Sequence, residues 1–409
     1  MKRTAINIVF TGHVDHGKST LIGRLLIDTD SLPESKIEEV TNVSKELGKE
    51  AELAYVTDYL KEEREQNITI DTTQIHFKTR KRDYIIIDAP GHIEFIKNMI
   101  TGTSQAEAAV LIVDVNEGVL EQTRRHVYLL NLLGIEKIVV VINKMDLVGF
   151  IEKRYLEVKD EIMKFLDELS LKPLCVIPIS AREGENITHK SRIMPWYRGP
   201  CFLKALDYIR PDKVTYDKLP LRFPVQDIYL VDGNRIIVGK VASGYLHKGQ
   251  EVVVLPSGEM QRVESIKTFN KDKKKAETFE SIGICLHNTA SIERGSILSQ
   301  RDDVPKLSNT FNATVFWMSE TPWIDTKPHE LQCSTQEVTC RLDSITKKMN
   351  SSTLELLNKD MDRLLRYEVG EVVIKTERPV LTESFDYRSE FGRFVVKDEG
   401  YVVGVGIIM

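Results

Sequence analysis

The sequence predicts an α/β domain with a doubly wound, mostly parallel sheet, followed by two small β-barrels. Up to about residue 212, continuous apolar runs alternate with longer amphipathic stretches, which is typical of parallel strands covered by helices on both faces. Beyond that point the chain changes to short β-branched runs with polar alternation and glycine-containing turns. A chain of 409 residues is also long enough for two to four domains.

Hydrophobic periodicity predicts the elements of the first domain. Continuous apolar runs predict strands at 6–10, 84–87, 109–113, 138–142 and 175–179. Helical spacing of apolar residues predicts helices at 19–29, after residue 91, at 122–133 and at 155–169. Strands and helices therefore alternate, as a doubly wound fold requires.

The barrels are predicted from the segments that follow residue 219. Runs such as 235–241 and 251–255 alternate β-branched and polar residues, and the segment 302–305 separates two such regions. The predicted domains are therefore 1–212, 219–303 and 304–409. The lysine-rich run 271–275 lies between two strand-like segments, and we interpret it as a solvated loop rather than an RNA-binding surface.

Composition and charge exclude several classes of protein. The chain is 42% hydrophobic and 29% charged, which excludes a disordered or collagen-like protein. A net charge of -5 does not favour a dedicated nucleic-acid binder, although a local basic face stays open. The 5 cysteines form no C-x-x-C pair, which predicts reduced thiols. These thiols indicate a cytoplasmic protein, and because no apolar run approaches about 20 residues, we expect neither export nor a membrane span.

A phosphate-binding loop is predicted at residues 12–19, which fit G-x-x-x-x-G-K-[ST] between a strand and a helix. Backbone N–H groups of such a loop and the helix N-terminus bind phosphate oxygens. Lys18 is predicted to reach the β- and γ-phosphates, and the Ser19 hydroxyl to bind Mg²⁺. The predicted nucleotide contacts here are Gly12, His13, Val14, Asp15, His16, Gly17, Lys18, Ser19 and Thr20.

Guanine specificity is predicted from the motif Asn143-Lys144-Met145-Asp146 at the end of a strand. A carboxylate at Asp146 can accept hydrogen bonds from N1–H and the 2-amino group of guanine, whereas adenine offers neither donor. The following strand-like run ends at Ser180, Ala181 and Arg182, which are predicted to give backbone contacts to the same base.

A γ-phosphate sensor is predicted from two further segments. Asp88 follows a strand and is expected to hold Mg²⁺ through water, and Gly91 can bring its N–H to the γ-phosphate. Thr69 is the predicted second hydroxyl ligand of Mg²⁺ while the γ-phosphate is present. His92 follows the sensor glycine and is predicted to position the attacking water, with an exposed loop histidine as the alternative. Lys18, Thr69 and His92 are thus the catalytic candidates, and Ser19, Thr69 and Asp88 the metal ligands.

These segments together resemble the translation-factor class of GTPases, and the match covers essentially the whole chain. It is carried by G-H-V-D-H-G-K-S-T, E-R-E-Q-N-I-T-I-D, D-A-P-G-H, N-K-M-D and S-A, followed by two β-barrels. The resemblance implies a P-loop GTPase domain, with GTP or GDP and Mg²⁺ as cofactors. Two branches of the class compete: elongation factor Tu/1-alpha and the regulatory GTPase subunit of bacterial sulfate adenylyltransferase.

The leading hypothesis from the resemblance is the sulfate adenylyltransferase subunit. The stretches 19–26, 63–66, 122–126, 254–258 and 352–355 look more like that subunit, and 332–337 lacks the His-Thr-x-x-His run of the elongation factors. This implies a smaller, ATP-pyrophosphatase-type catalytic partner that forms adenylyl sulfate from ATP and sulfate. The alternative is a translation factor that delivers an aminoacyl-tRNA or a protein factor to the ribosome, which His13, His16 and 391–395 favour. A third possibility is a paralogue that serves another nucleotide-activating partner.

Overall fold

The computed structural model describes residues 5–32, 56, 74–79, 81–88, 106–210, 216–231, 233–268, 271–287, 291–385 and 390–409, and for residues 74 and 88 the backbone alone. The chain divides into two compact units. One comprises Met1–Asp212 with Ser351–Thr353, and the other comprises Lys213–Asn350 with Leu354–Met409.

A six-stranded sheet forms the centre of the first unit, in the order β2-β3-β1-β4-β5-β6. Its strands are β1 (Ile6–Gly12), β2 (Gln74–Lys78), β3 (Asp83–Asp88), β4 (Ala108–Asp114), β5 (Ile138–Asn143) and β6 (Cys175–Pro178). β2 pairs antiparallel with β3, and the other pairings are parallel. Every residue of β4 and β5 is buried, as expected of parallel strands covered on both faces. The predicted mostly parallel α/β fold is therefore confirmed.

The described helices of this unit are α1 (Lys18–Asp28), α2 (Glu121–Leu132), α3 (Glu152–Glu168) and α4 (Phe202–Leu206). On α1 the buried residues Leu21, Ile22 and Leu25 recur at helical spacing and pack on the core of the sheet. The helix predicted after Gly91 lies outside the described residues. None of the described helices is long and apolar enough to cross a membrane.

The second unit begins with a ring of antiparallel strands. Its strands are β7 (Arg222–Val231), β8 (Asn234–Lys240), β9 (Leu246–His247), β10 (Glu251–Leu255), β11 (Glu259–Thr268), β12 (Lys271–Lys273), β13 (Lys275–Ala276), β14 (Ser281–Leu286) and β15 (Ile297–Gln300). The sheet runs β10-β15-β7-β8-β14-β11-β12, and a further pairing of β10 with β11 closes the ring. The run 271–275, interpreted above as a loop, thus contributes two short strands, because β11 and β9 each offer an edge to pair with.

A closed barrel completes the second unit, in the order β16-β21-β19-β18-β22-β23. Its strands are β16 (Leu307–Trp317), β18 (His329–Cys333), β19 (Gln336–Asn350), β21 (Glu368–Leu381), β22 (Arg393–Asp398) and β23 (Tyr401–Ile408), with the small pair β17 (Trp323–Ile324) and β20 (Arg363–Leu364) beside them. Trp317 and Trp323 stack in its core with ring centroids 5.1 Å apart. Together the two rings confirm the predicted β-rich second half.

Candidate nucleotide-binding site

The phosphate loop joins β1 to α1 at the carboxyl edge of the sheet, where open α/β sheets bind ligands. Gly17 precedes α1 with a φ of +87°, and a Cβ at this position would lie 2.4 Å from Asn143 Nδ2. A Cβ on Gly12 would lie 2.5 Å from the backbone oxygen of Ile112. Both glycines of the motif are therefore required by the close approach of the neighbouring strands.

Lys18 and the outer side of the loop face a region that is open to solvent. The Lys18 ammonium donates a hydrogen bond to the backbone oxygen of Gly12 at 3.0 Å, so its side chain folds back over the loop. Val14 is 70% exposed, and Asp15 is also exposed. Ser19 and Thr20 lie half-buried in the first turn of α1, whose N–H groups and dipole favour an anion. The predicted phosphate contacts are thus gathered in one place.

His16 points away from this open side and is fully buried against β4. Its Nε2 lies 3.0 Å from Glu117 Oε2, and the N–H of Asp114 donates to Nδ1 at 3.3 Å. Burial lowers the pKa of His16, more than the Ile112 carbonyl and the Glu117 carboxylate raise it. Nδ1 also lies 3.2 Å from the backbone oxygen of Ile112, so the tautomer decides whether Nδ1 donates to Ile112 or accepts from Asp114. The side chain of His16 therefore fixes the loop to β4, while the centroid of its ring lies 5.3 Å from that of His13.

Asn143 links the phosphate loop to the predicted base-contact loop. It is 2% exposed at the end of β5, and its Nδ2 donates to the backbone oxygen of His16 at 3.0 Å. Its Oδ1 accepts the N–H of Ala181 at 3.0 Å. The backbone N–H of Ala181, which is predicted to contact guanine, therefore donates to Asn143 in this structure.

Asp146, the predicted base-specificity residue, is hydrogen-bonded to Ser180 of the predicted base-contact loop. The Ser180 hydroxyl donates to Asp146 Oδ1 at 2.5 Å and accepts the N–H of Glu183 at 3.1 Å. Ser180 is fully buried, whereas Asp146 is half-buried, so its carboxylate stays accessible from the carboxyl edge of the sheet. Arg182 is exposed, with its side chain 3.8 Å from Glu183. The structure thus brings the motif at 143–146 next to the loop at 180–182.

Two acidic residues that the sequence analysis did not select also belong to this region. Asp114 ends β4, and its Oδ2 lies 2.7 Å from the ammonium of Lys144. The backbone of Lys144 is left-handed, with a φ of +64°. Burial raises the pKa of Asp114, but the hydrogen bond from Lys144 and the N–H of Asn116 together bring it below its ordinary value. Glu117 follows as the partner of His16. Their position at and just beyond the carboxyl end of a parallel strand is the signal that identifies them.

The predicted γ-phosphate sensor lies largely outside the described residues. Thr69, Gly91 and His92 are outside them, and Asp88 is described by its backbone, which ends β3 opposite Phe10 of β1. Among the described residues no cluster of three histidine, cysteine or acidic side chains could hold a metal ion. Mg²⁺ bound to phosphates takes few protein ligands, and the Ser19 hydroxyl at the start of α1 fits one of them.

A loop with the phosphate-binding motif lies beside the predicted base-contact residues at the carboxyl edge of a doubly wound sheet, which is the arrangement of a P-loop nucleotide-binding protein. Residues 3–219 match the family model of the elongation factor Tu GTP binding domain. Residues 234–299 match elongation factor Tu domain 2, and residues 310–409 match the GTP-eEF1A C-terminal domain-like family. The chain belongs to the elongation factor Tu/1-alpha family of GTPases.

Known relatives align with the chain over nearly its whole length. It is 37% identical to elongation factor 1-alpha of Saccharolobus solfataricus, over 99% of this chain and 96% of that protein. It is 38% identical to the elongation factor 1-alpha of Pyrococcus furiosus, over 99% and 97% of the two chains. For Thermoplasma acidophilum the values are 39% identity over 98% and 96%. A solved structure of sup35 complexed with GDP aligns with 23% identity over 100% of this chain and 94% of its own, at a TM-score of 0.46.

Proposed function

We propose that the protein is a GTP-dependent translation factor of the elongation factor 1-alpha type, which carries an aminoacyl-tRNA or a protein factor to the ribosome. The observation that carries this proposal is the similarity to elongation factors 1-alpha over 98–99% of the chain, at 37–39% identity. It extends through the GTPase domain and both β-rich regions. A shared nucleotide domain alone would not favour one client over another.

The guanine base is assigned to the carboxylate of Asp146. Ser180 holds one oxygen of this carboxylate at 2.5 Å, so the group is oriented before the nucleotide arrives. N1–H and the 2-amino group of guanine would donate to it, whereas adenine would leave the carboxylate without a donor from the base, at a cost of about 1–3 kcal/mol. This arrangement supports binding of GTP and GDP in preference to ATP.

The phosphates are assigned to the loop 12–19. Lys18, which now donates to the Gly12 oxygen, carries the charge that would move to the β- and γ-phosphates. Ser19, with Thr69 and the side chain of Asp88, would hold Mg²⁺, and the ion would neutralise charge on the phosphate oxygens. His92 is proposed to orient the attacking water, and Gly91 to sense the γ-phosphate through its N–H.

The two sequence hypotheses differ in the partner that the GTPase serves. Sulfate activation was the leading hypothesis, on stretches such as 122–126 and on the absence of a His-Thr-x-x-His run around 332–337. The relatives named above are elongation factors, and they support the translation alternative instead. We therefore place aminoacyl-tRNA or a protein factor, with the ribosome, as the partners, and not an adenylyl sulfate-forming subunit.

The decisive experiment measures nucleotide and RNA binding on the full chain. A fluorescent GDP analogue is displaced with GTP and with ATP, and labelled aminoacyl-tRNA is then titrated in the presence of a non-hydrolysable GTP analogue or of GDP. We expect displacement by GTP and not by ATP, with tRNA affinity higher in the triphosphate state. Affinity should also fall steeply between about 50 and 200 mM salt, because phosphate contacts release counterions.

A pull-down from native extract with the same GTP analogue identifies the client. Recovery of tRNA, a release or rescue protein, or ribosomes supports the proposal. Recovery of a smaller ATP-pyrophosphatase-type subunit without RNA would overturn it and reinstate sulfate activation. Equal displacement of the fluorescent nucleotide by ATP and GTP would overturn the assignment of Asp146.

A further inference from the structure

The helix that follows the phosphate loop also contacts the loop that carries Ser180. Arg24 and Asp28 lie one turn apart on the same face of α1, with Arg24 Nε 3.0 Å from Asp28 Oδ1. Their side chains are 19% and 13% exposed, so the pair is largely shielded from solvent. Neither residue belongs to a nucleotide-binding motif.

Arg24 packs its guanidinium against Gly184. A Cβ at Gly184 would lie 2.8 Å from Arg24 Nη2, 3.0 Å from Cζ and 3.2 Å from Nε. These similar distances show that the plane of the group lies across the glycine. Gly184 has a φ of +79° and donates its N–H to the backbone oxygen of Ser180 at 2.9 Å, which closes the turn 180–185. The guanidinium therefore rests on the turn that begins at Ser180.

Asp28 makes the second contact between α1 and this loop. The Thr188 hydroxyl donates to Asp28 Oδ2 at 3.2 Å, while the other carboxylate oxygen faces Arg24. The Asp28 carboxylate thus connects Arg24 to Thr188 at the far end of the loop. We call Arg24, Asp28, Gly184 and Thr188 the α1 clamp.

The α1 clamp is connected to base recognition through one residue. Ser180 starts the clamped turn, and its hydroxyl both accepts the Glu183 N–H and donates to Asp146 Oδ1. A shift of the turn would therefore move the donor that orients the Asp146 carboxylate. Since α1 also begins at the phosphate loop, one helix supports both ends of the proposed nucleotide site.

We propose that Arg24 is a positioning residue for guanine recognition, acting through Gly184, Ser180 and Asp146. This inference rests on the proposed nucleotide function and adds a residue outside its motifs. An arginine suits the role because its planar group can lie on a peptide and pair with a carboxylate at once. A lysine keeps the charge opposite Asp28 but has no plane to cover Gly184.

The test compares GDP with IDP, which lacks the 2-amino group, on the full chain. Arg24→Ala should lower GDP affinity on the order of tenfold and IDP affinity about threefold, because Asp146 makes two contacts with guanine and one with hypoxanthine. The affinity for pyrophosphate should stay unchanged. Arg24→Lys should keep the melting temperature and lose part of the GDP:IDP ratio. Arg192→Ala, an exposed arginine of the same unit, is the matched control and should behave as wild type.

Three results would overturn the inference. An unchanged GDP:IDP ratio in Arg24→Ala and Arg24→Lys would show that the packing has no consequence for the base. An equal loss of affinity for GDP, IDP and pyrophosphate would show that Arg24 stabilises only the position of α1. Wild-type protein that binds none of these ligands would overturn the proposed function itself. If Arg24→Ala does not fold, Arg24→Lys and Thr188→Val decide the outcome, since each loosens one contact of the α1 clamp.

Discussion

Asn143 donates a hydrogen bond to the backbone oxygen of His16 at 3.0 Å, joining two segments that are 127 residues apart in the chain. The same amide accepts the N–H of Ala181, 38 residues further on. Both bonds are buried, so water cannot replace them. One side chain therefore sets the distance between the phosphate loop and the base-contact loop.

Replacing Asn143 by alanine should weaken both folding and nucleotide binding. Two buried backbone groups would lose their partners, and each such loss costs about 1–3 kcal/mol. Urea unfolding and GDP titration measure the two effects. Asn116→Ala, an exposed asparagine of the same unit, should change neither. Wild-type GDP affinity in folded Asn143→Ala would contradict the linking role.

Asp146→Asn should exchange guanine preference for xanthine preference. The asparagine can still accept from Ser180 through its oxygen, which leaves an NH₂ group toward the base. Guanine then meets a donor with its own 2-amino group, whereas xanthine presents a carbonyl oxygen. Since a charge-assisted bond contributes about 1.5–3 kcal/mol, GDP affinity should fall by roughly 10–100-fold. Competition by GDP and XDP against a fluorescent nucleotide measures this change of preference. Unchanged GDP affinity would argue against the role of Asp146 in guanine recognition.

Acid should destabilise the protein partly through His16. Burial lowers the pKa of this imidazole below 6.5, against smaller opposing contributions from Ile112, Glu117 and Asp114. Near and below pH 6.5 the unfolded chain therefore binds a proton that the folded chain does not, so stability is full above this pH and falls as the pH decreases. The free energy of unfolding, measured in urea, should differ less between pH 7.5 and 5.5 for His16→Gln than for wild type.

His329 in the closed barrel needs a separate variant in this experiment. Burial lowers the pKa of His329 as well, so it contributes with the same sign. His329→Gln, measured beside His16→Gln, separates the two contributions. An identical pH response in wild type and His16→Gln would show that the His16 proton is not linked to folding.

The second unit contains an ion cluster around a buried arginine, whose loss should be costly. Arg222 has a 2% exposed side chain, and its Nη2 lies 2.6 Å from Asp303 Oδ1 and 3.0 Å from Glu383 Oε1. Arg222→Ala would leave the buried Glu383 carboxylate without this cation, which costs about 3–5 kcal/mol.

The pair of Arg301 with Glu251 is the natural control for Arg222, because it spans 2.7 Å with side chains 58% and 51% exposed. Solvent screening limits such a pair to about 1 kcal/mol or less. Arg301→Ala should therefore leave the midpoint of urea unfolding almost unchanged, while Arg222→Ala lowers it clearly. Equal effects of the two substitutions would contradict the importance of burial.

The main elements of the first domain could be predicted because their signals are local. β4 and β5 are continuous apolar runs, and α1 shows helical spacing directly after the phosphate loop. The edge strand β2 was not predicted, because three of its five residues, Gln74, His76 and Lys78, are polar. Ile75 and Phe77 are buried on one face while His76 is exposed, a pattern that a search for continuous runs does not detect.

The client of the protein was harder to predict than its nucleotide. The loop 12–19 and the motif at 143–146 fit a guanine nucleotide by their own chemistry, and that chemistry is common to both branches of the family. Short stretches that look more like sulfate-activating subunits led to a preference for that branch, and the relatives of the chain support the alternative better. The comparison of whole chains favours translation, because a surface that recognises a client depends on many dispersed residues.

By itself the sequence determined the alternation of strands and helices, the phosphate loop and the residue types that suit guanine, since these depend on local periodicity and on motifs of a few residues. Only the tertiary structure decided which residues support them. His16 pairs with Glu117, Lys144 with Asp114, and Arg24 covers Gly184, although each pair is separated by many positions in the chain. Such contacts arise where parallel strands end at one edge of the sheet, and no local pattern encodes which side chains meet there.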